Sequence, residues 1–202
     1  GTRPDDMPLA AAWSTILSRF LRAEGFIISN GILREDLGGG VSQLATTLFN
    51  AMFFAGLEDV EHKPHSFYID RYPVGREATV AWGVLDLRFR NDTKHGVYVQ
   101  SFIRPSTPGT QGSVTVSLYS TKVWDIQARA SNRYAYTQPE VRYLQTDDCY
   151  AYTGSQGFQI DVFRDFRRPG KDKVVRTEKF HTVYTPSDTV RCGKPPKEGE
   201  DG

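Results

Sequence analysis

The sequence has 202 residues, of which 39% are apolar and 12% aromatic, so the chain can bury one sizeable core. Its 25 basic and 24 acidic residues leave a formal net charge of +1, which argues against a global field that attracts nucleic acid. The chain starts at Gly1 with neither a signal peptide nor a bilayer-spanning apolar run. We therefore expect a piece of a longer protein, with any export signal or membrane anchor upstream.

The first predicted element is an amphipathic helix from Leu9 to Glu24. Its apolar residues recur at helical spacing, with Pro8 near the start and Gly25 just past the end. A short strand, FIISNG, and a loop, ILREDL, lead to three consecutive glycines. The predicted organisation is an N-terminal helical segment (1–24), a main domain (25–192) and a disordered tail (193–202).

A second helix is predicted within GGGVSQLATTLFNAMFFAG, which follows the loop. From Gln43 to Ala55 its pattern is apolar nearly all round, which indicates a buried helix. The three glycines permit a sharp bend before Ser42. The Ser42 hydroxyl can cap the helix, or it can act as a nucleophile beside free backbone N–H groups that stabilise an oxyanion. The local sequence leaves both roles open.

After Gly56 the apolar pattern changes to period two, which predicts strands. The predicted strands are SFYIDRY, EATVAW, VLDLRFR, GVYVQSFI and SVTVSLYS, separated by turn-rich segments. A further pair, GFQIDVFRDF and VVRTEKFHTVYT, flanks the turn RRPGKDK. The predicted fold class is α+β, with one or two helices packed on a mainly antiparallel sheet and a C-terminal β-hairpin.

Two cysteines, Cys149 and Cys192, flank this predicted hairpin. They do not form a Cys-x-x-Cys motif, and a metal site would need more ligands nearby. A disulfide is the simplest use of the pair, and two unpaired thiols are the alternative. A disulfide would imply an oxidising compartment outside the cytosol.

The middle of the chain carries several short motifs in a fixed order. They are the triple glycine, Gln43, Thr46-Thr47, Asn50-Ala51, Pro64-His65-Ser66, Gly75-Arg76, Ala78-Thr79-Val80 and Leu85-Asp86-Leu87-Arg88-Phe89. With these motifs, residues 25 to 103 resemble the VanW family, which is named for a protein of vancomycin-resistance gene clusters. The resemblance implies an exported, extracytoplasmic cell-envelope domain that acts on peptidoglycan, anchored through missing upstream residues.

Some VanW domains are credited with L,D-transpeptidase activity, in which a cysteine takes an acyl group from a stem peptide and passes it to an amine. In this sequence Ser42 stands at the family's cysteine position and Glu77 at a common aspartate position. Some members carry this serine and glutamate as their normal residues, and a designed replacement of the cysteine is the other explanation. The helix before residue 25 resembles an insertion, and the start of the domain is missing.

The resemblance implies a Ser42, His65 and Glu77 active site. A serine hydroxyl needs a base within hydrogen-bond reach, and His65 is the candidate, oriented by Glu77. Ser42 lies in GVSQL rather than in Gly-x-Ser-x-Gly, so the motif of a nucleophile elbow is absent. The alternative is a structural His65 that bonds a backbone carbonyl.

Four further residues are candidates for binding substrate. Arg71 and Arg76 suit a carboxylate, because a guanidinium can bind it through two parallel bonds, although salt bridges to a neighbouring strand would also explain them. Gln43 belongs to the family motifs. Tyr72, together with Tyr68, could line a groove for a sugar or peptide, although aromatic strand residues more often only pack.

No cofactor or metal is expected. His62 and His65 have three-residue spacing, but Pro64 breaks any helix between them and no third ligand is evident. His95 is predicted to be a solvated turn residue and His181 a strand residue.

The preferred function is VanW-type acyl transfer on peptidoglycan stem peptides, with Ser42 as the nucleophile. The alternative is a non-catalytic peptidoglycan-binding or structural domain that has lost the catalytic thiol. Stem peptides are the expected partners. Nucleic acid is not expected, and membrane contact is expected only through an anchor outside this chain.

Overall fold

A computed structural model of the chain describes residues 24–29, 32–37, 41–81, 83–147 and 149–196. Residues 24–29 and 32–37 are described by their backbone alone. The predicted N-terminal helix lies outside the described residues except for Glu24, which is the first residue of a strand. Most of the predicted disordered tail, residues 197–202, also lies outside them.

The described residues form one helix and twelve strands. The helix, α1, spans Val41–Ala55. The strands are β1 (Glu24–Ser29), β2 (Ile32–Leu37), β3 (Glu58–Glu61), β4 (Arg88–Arg90), β5 (Tyr98–Arg104), β6 (Ser113–Tyr119), β7 (Asp125–Ala130), β8 (Tyr134–Thr137), β9 (Val141–Leu144), β10 (Gly157–Arg167), β11 (Val174–Tyr184) and β12 (Thr189–Cys192).

The strands form several small sheets rather than the one sheet that the sequence predicted. In the largest, β10 lies between β11 and β7, and β8 pairs with another part of β10. Three two-stranded antiparallel sheets are β1–β2, β3–β4 and β5–β6, whereas β9 and β12 pair in parallel. One helix with mainly antiparallel strands agrees with the predicted α+β class.

The predicted loop ILREDL is wrong, because these residues form strand β2. They pair with β1 in an antiparallel register that runs from Glu24 opposite Leu37 to Ser29 opposite Ile32. The residues between the two strands are Asn-Gly, a dipeptide favoured in two-residue hairpin turns. That dipeptide is the sequence signal that could have predicted the second strand.

Two of the predicted strands between residues 66 and 82 are also wrong. SFYIDRY contains turns, in which Tyr72 N–H donates to the Ile69 carbonyl at 3.0 Å. In EATVAW, Ala81 makes an isolated bridge with Leu85, and residues 77–80 pair with no named strand. Of VLDLRFR, the last three residues form β4. Period-two patterning reports a backbone with alternating burial, and extended backbone need not pair with another strand.

The helix α1 forms the centre of the main core, as its nearly continuous apolar pattern predicted. Phe49, Met52 and Phe53 are fully buried. They pack with Leu57, Ala78, Leu87 and Val162, and with half-buried side chains of β5, β6 and β7. This packing on several sides fixes the direction of the helix, and therefore the position of its first turn.

The end of α1 is held by one local contact and one long-range contact. Gly56, with φ of 74°, donates its N–H to the Phe53 carbonyl, and Leu57 donates to Met52, which together form a Schellman motif. Arg164 of β10 is fully buried and donates to the same Phe53 carbonyl at 3.3 Å. A guanidinium at a helix C-terminus also complements the helix dipole.

The Arg164 charge is paired with Glu178 of β11, to which its Nε donates at 2.9 Å. On the opposite face of the same sheet, Asp165 accepts from the Thr177 hydroxyl at 2.6 Å and from Arg129 Nε at 2.9 Å. These two bonds hold the pKa of Asp165 below its usual value. Both pairs join β10 to neighbouring strands, so charge as well as apolar packing holds this sheet together.

The disulfide predicted from the sequence is confirmed. Cys149 and Cys192 are joined, with their Cα atoms 5.8 Å apart and a sequence separation of 43. The bridge encloses β10 and β11, whose antiparallel register runs from Phe158 opposite Tyr184 to Arg167 opposite Val174. Closing a loop of this length stabilises the fold by about 4 kcal/mol on the chain-entropy account.

Candidate functional site

A polar stripe along α1 binds the extended segment Arg76–Thr79. Ser42, Thr46 and Asn50 are spaced by four residues, so they lie on one face of the helix. The Thr46 hydroxyl donates to the Ala78 carbonyl at 3.0 Å and accepts from the Ala78 N–H at 3.1 Å. Asn50 Nδ2 donates to the Arg76 carbonyl at 2.8 Å. Two helical side chains, Thr46 and Asn50, thus bond backbone groups that a partner strand would otherwise pair with.

Ser42 lies at the start of this stripe. It is the second residue of α1 and is half-buried, so it stands in the first turn as predicted. Its Oγ lies 3.3 Å from the Thr79 Oγ1, in hydrogen-bond contact. The N-terminal cap role does not fit, because a capping residue precedes the first helical residue and bonds a backbone N–H. Ser42 instead presents its hydroxyl to a second hydroxyl.

His65 and Glu77 form a buried pair beside the same segment. His65 Nδ1 lies 2.7 Å from Glu77 Oε2, with the two residues 7% and 1% exposed. Thr79 N–H donates to the Lys63 carbonyl at 2.8 Å, which aligns the two chain segments so that residues 65 and 77 face each other. The alternative of a His65 bonded to a backbone carbonyl is therefore not the arrangement seen, since its partner is a carboxylate.

The three predicted catalytic residues meet on the Arg76–Thr79 segment. Ser42 contacts Thr79 and His65 contacts Glu77. The N–H and the carbonyl of Ala78 both point toward the Thr46 side chain, as they do in an extended strand. In such a strand, side chains two residues apart, here Glu77 and Thr79, lie on the same face about 7 Å apart. Ser42 and the His65–Glu77 pair thus contact the same short segment, while their assembly into one active site and a direct contact between Ser42 and His65 stay predictions.

The ring of His65 stacks on a tyrosine. Tyr72 is buried, and its ring lies 5.2 Å from the imidazole, with 7° between their planes. Arg71 is exposed, with its guanidinium 5.8 Å from the same tyrosine ring. Burial raises the pKa of Tyr72, against the opposing effect of the Arg71 charge. Tyr72 therefore holds the imidazole plane, and Arg71 places a cation near the site.

Arg76 is at the other end of the helix from Ser42. Its Nη1 donates to Asn50 Oδ1 at 3.1 Å, and its guanidinium lies 5.1 Å from the Phe54 ring. Asn50 is eight residues after Ser42, which is about 12 Å along a helix. Burial lowers the pKa of Arg76. A contact with the last turn of α1 gives this cation a structural role, beside the carboxylate-binding role that the sequence suggested.

The remaining candidates have different surroundings. Gln43 is half-buried in the first turn of α1, and its carbonyl accepts from the Thr47 hydroxyl at 2.7 Å. Tyr68 packs against the rings of Phe158 and Tyr184, each at 5.5 Å, so it belongs to an aromatic cluster. The packing explanation for Tyr68 therefore fits the structure.

The other histidines lie apart from the His65–Glu77 pair. His62 Nδ1 lies 2.6 Å from Asp59 Oδ2, and its ring contacts the Phe49 ring in a tilted arrangement at 4.3 Å. His95 is exposed in a turn, and His181 is a strand residue of β11 that contacts Asp161. Within the described parts of the chain, no cluster of three or more His, Cys, Asp or Glu side chains is placed to hold a metal ion.

Sequence reasoning missed the residues that hold the site in place. Thr46 and Asn50 were noted as motif residues without a role, although their spacing of four after Ser42 is a signal for a shared helix face. Tyr184, whose hydroxyl accepts from the Gly75 N–H at 2.9 Å, was not considered at all. No sequence signal indicates that contact, because the two residues are separated by 109 positions.

Comparison with known proteins agrees with the motifs around this site. Residues 20–119 match the family described as "VanW like protein". The chain belongs to the VanW family. The VanW-like region contains all three predicted catalytic residues and ends with β6, so β7 to β12 and the disulfide lie beyond it. Membership of this family supports a cell-wall-associated protein.

A similar curated protein is "Uncharacterized protein YoaR" of Bacillus subtilis (strain 168). It is 40% identical over 103 residues, which are 51% of this chain and 32% of that protein, so the VanW-family chain spans about a third of its relative. No solved structure matches the chain. None of the described helices is both long and apolar enough to cross a bilayer.

Proposed function

We propose that this VanW-family chain acts on peptidoglycan stem peptides outside the cytosol, through acyl transfer with Ser42 as nucleophile. The observation that carries the proposal is the buried His65–Glu77 pair, held on the same segment that contacts Ser42. A carboxylate on Nδ1 fixes the ring and leaves Nε2 as the nitrogen that can exchange a proton with substrate or serine. A disulfide fits an oxidising compartment.

In the first step the Ser42 oxygen attacks the carbonyl carbon of a stem-peptide amide while His65 takes the hydroxyl proton. The carbon–nitrogen bond then breaks, and the leaving amine takes that proton from His65, which leaves an acyl-serine ester. In the second step an amine from a neighbouring strand attacks the ester, and the serine regains its proton. The step needs no cofactor, because both bonds exchanged are acyl bonds.

Two features of the site support the first step. Backbone N–H groups in the first turn of a helix have no intrahelical partner, so the start of α1 can stabilise the oxyanion that forms on the attacked carbonyl. Glu77 is 1% exposed, so its charge acts on the imidazolium across a short, largely water-free distance. Arg71, which is exposed beside Tyr72, is the better placed of the two arginines to bind a substrate carboxylate.

A second candidate function is a peptide-binding domain without turnover. The observation that favours it is the Ser42 hydroxyl itself, which is half-buried and bonded to Thr79. A helix N-terminus activates a thiol by stabilising the thiolate, but it gives a serine hydroxyl far less help. A chain that kept the cleft and replaced the thiol would bind stem peptides and release them unchanged.

Intact-mass measurement after incubation with muropeptides separates the two functions. We compare the parent with Ser42→Cys, Ser42→Ala and the matched control Thr47→Cys. The control places a thiol on the same helix, five residues after Ser42. The two native cysteines form a disulfide, so the introduced cysteine supplies the free thiol in each Cys variant. We expect Ser42→Cys to acquire an acyl mass faster than the parent, and the two control variants to acquire none.

The proposal of acyl transfer fails if neither the parent nor Ser42→Cys gains mass while both bind the muropeptide. That result would favour the binding domain. Adding His65→Ala to Ser42→Cys tests the base, because its loss should lower the rate of acylation by about 10²-fold or more if the imidazole assists the step.

A further inference from the structure

The end of strand β11 reaches the candidate site from outside the VanW-like region. The Thr185 N–H and hydroxyl both donate to the Ser66 carbonyl, at 2.7 and 2.8 Å. The Tyr184 hydroxyl accepts from the Gly75 N–H at 2.9 Å. Ser66 directly follows the candidate base, and Gly75 lies two residues before its carboxylate partner. The C-terminal hairpin therefore contacts the chain on both sides of the pair.

Glu77 and Tyr184 each have one buried polar group left over. Both side chains are 1% exposed. Oε2 of Glu77 bonds His65, while Oε1 is buried and forms no hydrogen bond of standard length and angle with the described residues. The Tyr184 oxygen accepts from Gly75, so the phenol proton remains to be donated. Buried donors and acceptors are costly when unpaired, and nearly all find a partner.

The electrostatics of the tyrosine agree with such a contact. Burial, and then the charge of the neighbouring Glu77, raise the pKa of Tyr184. A raised pKa keeps the phenol neutral at physiological pH, so that its proton is available for donation.

We propose that the Tyr184 hydroxyl donates to Oε1 of Glu77 and so makes Tyr184 a positioning residue for His65. The phenol fixes the rotation of the carboxylate, and the carboxylate fixes the imidazole. This role rests on the proposed function only in that it makes His65 the base; the contact itself is independent of any reaction. The strand that supplies Tyr184 lies beyond residue 119, so the site is incomplete in the VanW-like region alone.

A packing role is the competing explanation, because Tyr184 also contacts aromatic rings. Its ring lies 4.9 Å from Phe158 and 5.5 Å from Tyr68. Tyr184→Phe keeps those ring contacts and removes the hydroxyl, so it separates positioning from packing. Tyr136→Phe is a matched control, since it removes a hydroxyl from a tyrosine that also borders Phe158, at 6.2 Å.

The test is ¹⁵N NMR of the His65 ring in the full chain. In the parent we expect a Nδ1 proton that exchanges slowly with water. Tyr184→Phe should raise the exchange rate of this proton by about tenfold or remove its signal, because the hydrogen bond from Tyr184 to Glu77 is lost. Tyr136→Phe should leave the exchange rate unchanged. An unaltered exchange rate in folded Tyr184→Phe overturns the proposal.

If Tyr184→Phe does not fold, the parent supplies the decisive measurement. The Tyr184 hydroxyl proton should then give its own slowly exchanging resonance, with a through-space contact to the Glu77 side chain. Absence of that contact overturns the proposal.

Failure of the proposed function gives a different result from failure of this inference. If the introduced thiol of Ser42→Cys is alkylated at the same rate with and without His65→Ala, His65 does not act as the base. The NMR result for Tyr184 would stand unchanged.

Discussion

The contact between Thr46 and the Arg76–Thr79 segment gives the sharpest prediction about stability. Thr46 is 3% exposed, and its single hydroxyl serves both the N–H and the carbonyl of Ala78. Thr46→Val keeps the branched shape of the side chain and removes the hydroxyl. The variant therefore leaves two buried backbone groups without a partner, on the residue between Glu77 and Thr79.

The expected loss follows from those two groups. A buried polar group left unsatisfied costs about 1–3 kcal/mol, and one new methyl contact in the same space recovers part of that cost. We expect the free energy of unfolding to fall by about 2–4 kcal/mol. For a chain of this size, each kcal/mol corresponds to about 2–4 °C in Tm, so Tm should fall by about 4–16 °C.

Thr47→Val is the matched control. The Thr47 hydroxyl donates to the Gln43 carbonyl at 2.7 Å, within the helix, where that carbonyl can also accept a helical N–H. Its loss should change stability by less than about 0.5 kcal/mol. Urea unfolding followed by circular dichroism measures both variants. Equal stabilities for Thr46→Val and Thr47→Val would refute the role that we assign to the Thr46 hydroxyl.

Three further predictions follow from the fold. Reducing the Cys149–Cys192 disulfide should destabilise the chain by about 4 kcal/mol in urea unfolding, and thiol titration of the unreduced, unfolded chain should find no free thiol. Gly75→Ala should lower Tm more than Gly83→Ala. Both glycines have positive φ, but of the two only Gly75 has a side chain, that of Val162, within 2.7 Å of an added Cβ. Equal losses of Tm would contradict that close approach. Asp165 has a lowered pKa, so its contribution to stability is present at neutral pH and is lost as pH falls below about 4; Asp165→Asn should therefore flatten the acid side of a Tm–pH profile, and an unchanged acid side would argue against this.

The helix α1 shows what local sequence could predict. Its apolar residues recur around the whole helix, and the structure places α1 at Val41–Ala55 with its core residues buried. Gly56 at its end was a visible stop, and it adopts the positive φ that a C-terminal glycine permits. Such signals depend on neighbours within a few residues, so they can be read without the fold.

The Arg76–Thr79 segment shows where local patterning misled. EATVAW alternates as a strand does, yet both hydrogen-bonding groups of its Ala78 backbone pair with the Thr46 hydroxyl of α1. Alternation records which side chains face the core, but it carries no information about the partner of the backbone. Only the packing of the helix against this segment decides that partner.

The candidate site divides along the same line. Sequence alone determined the residue types at Ser42, His65 and Glu77, the helix that carries the first of them and the cysteines available for a disulfide. Tertiary structure decided that a carboxylate orients the histidine and that Arg76 lies by the last turn of α1, far from Ser42. It also decided that the end of β11 borders the site. Contacts such as these join residues far apart in the chain, and they form because buried polar groups must find partners wherever packing brings them.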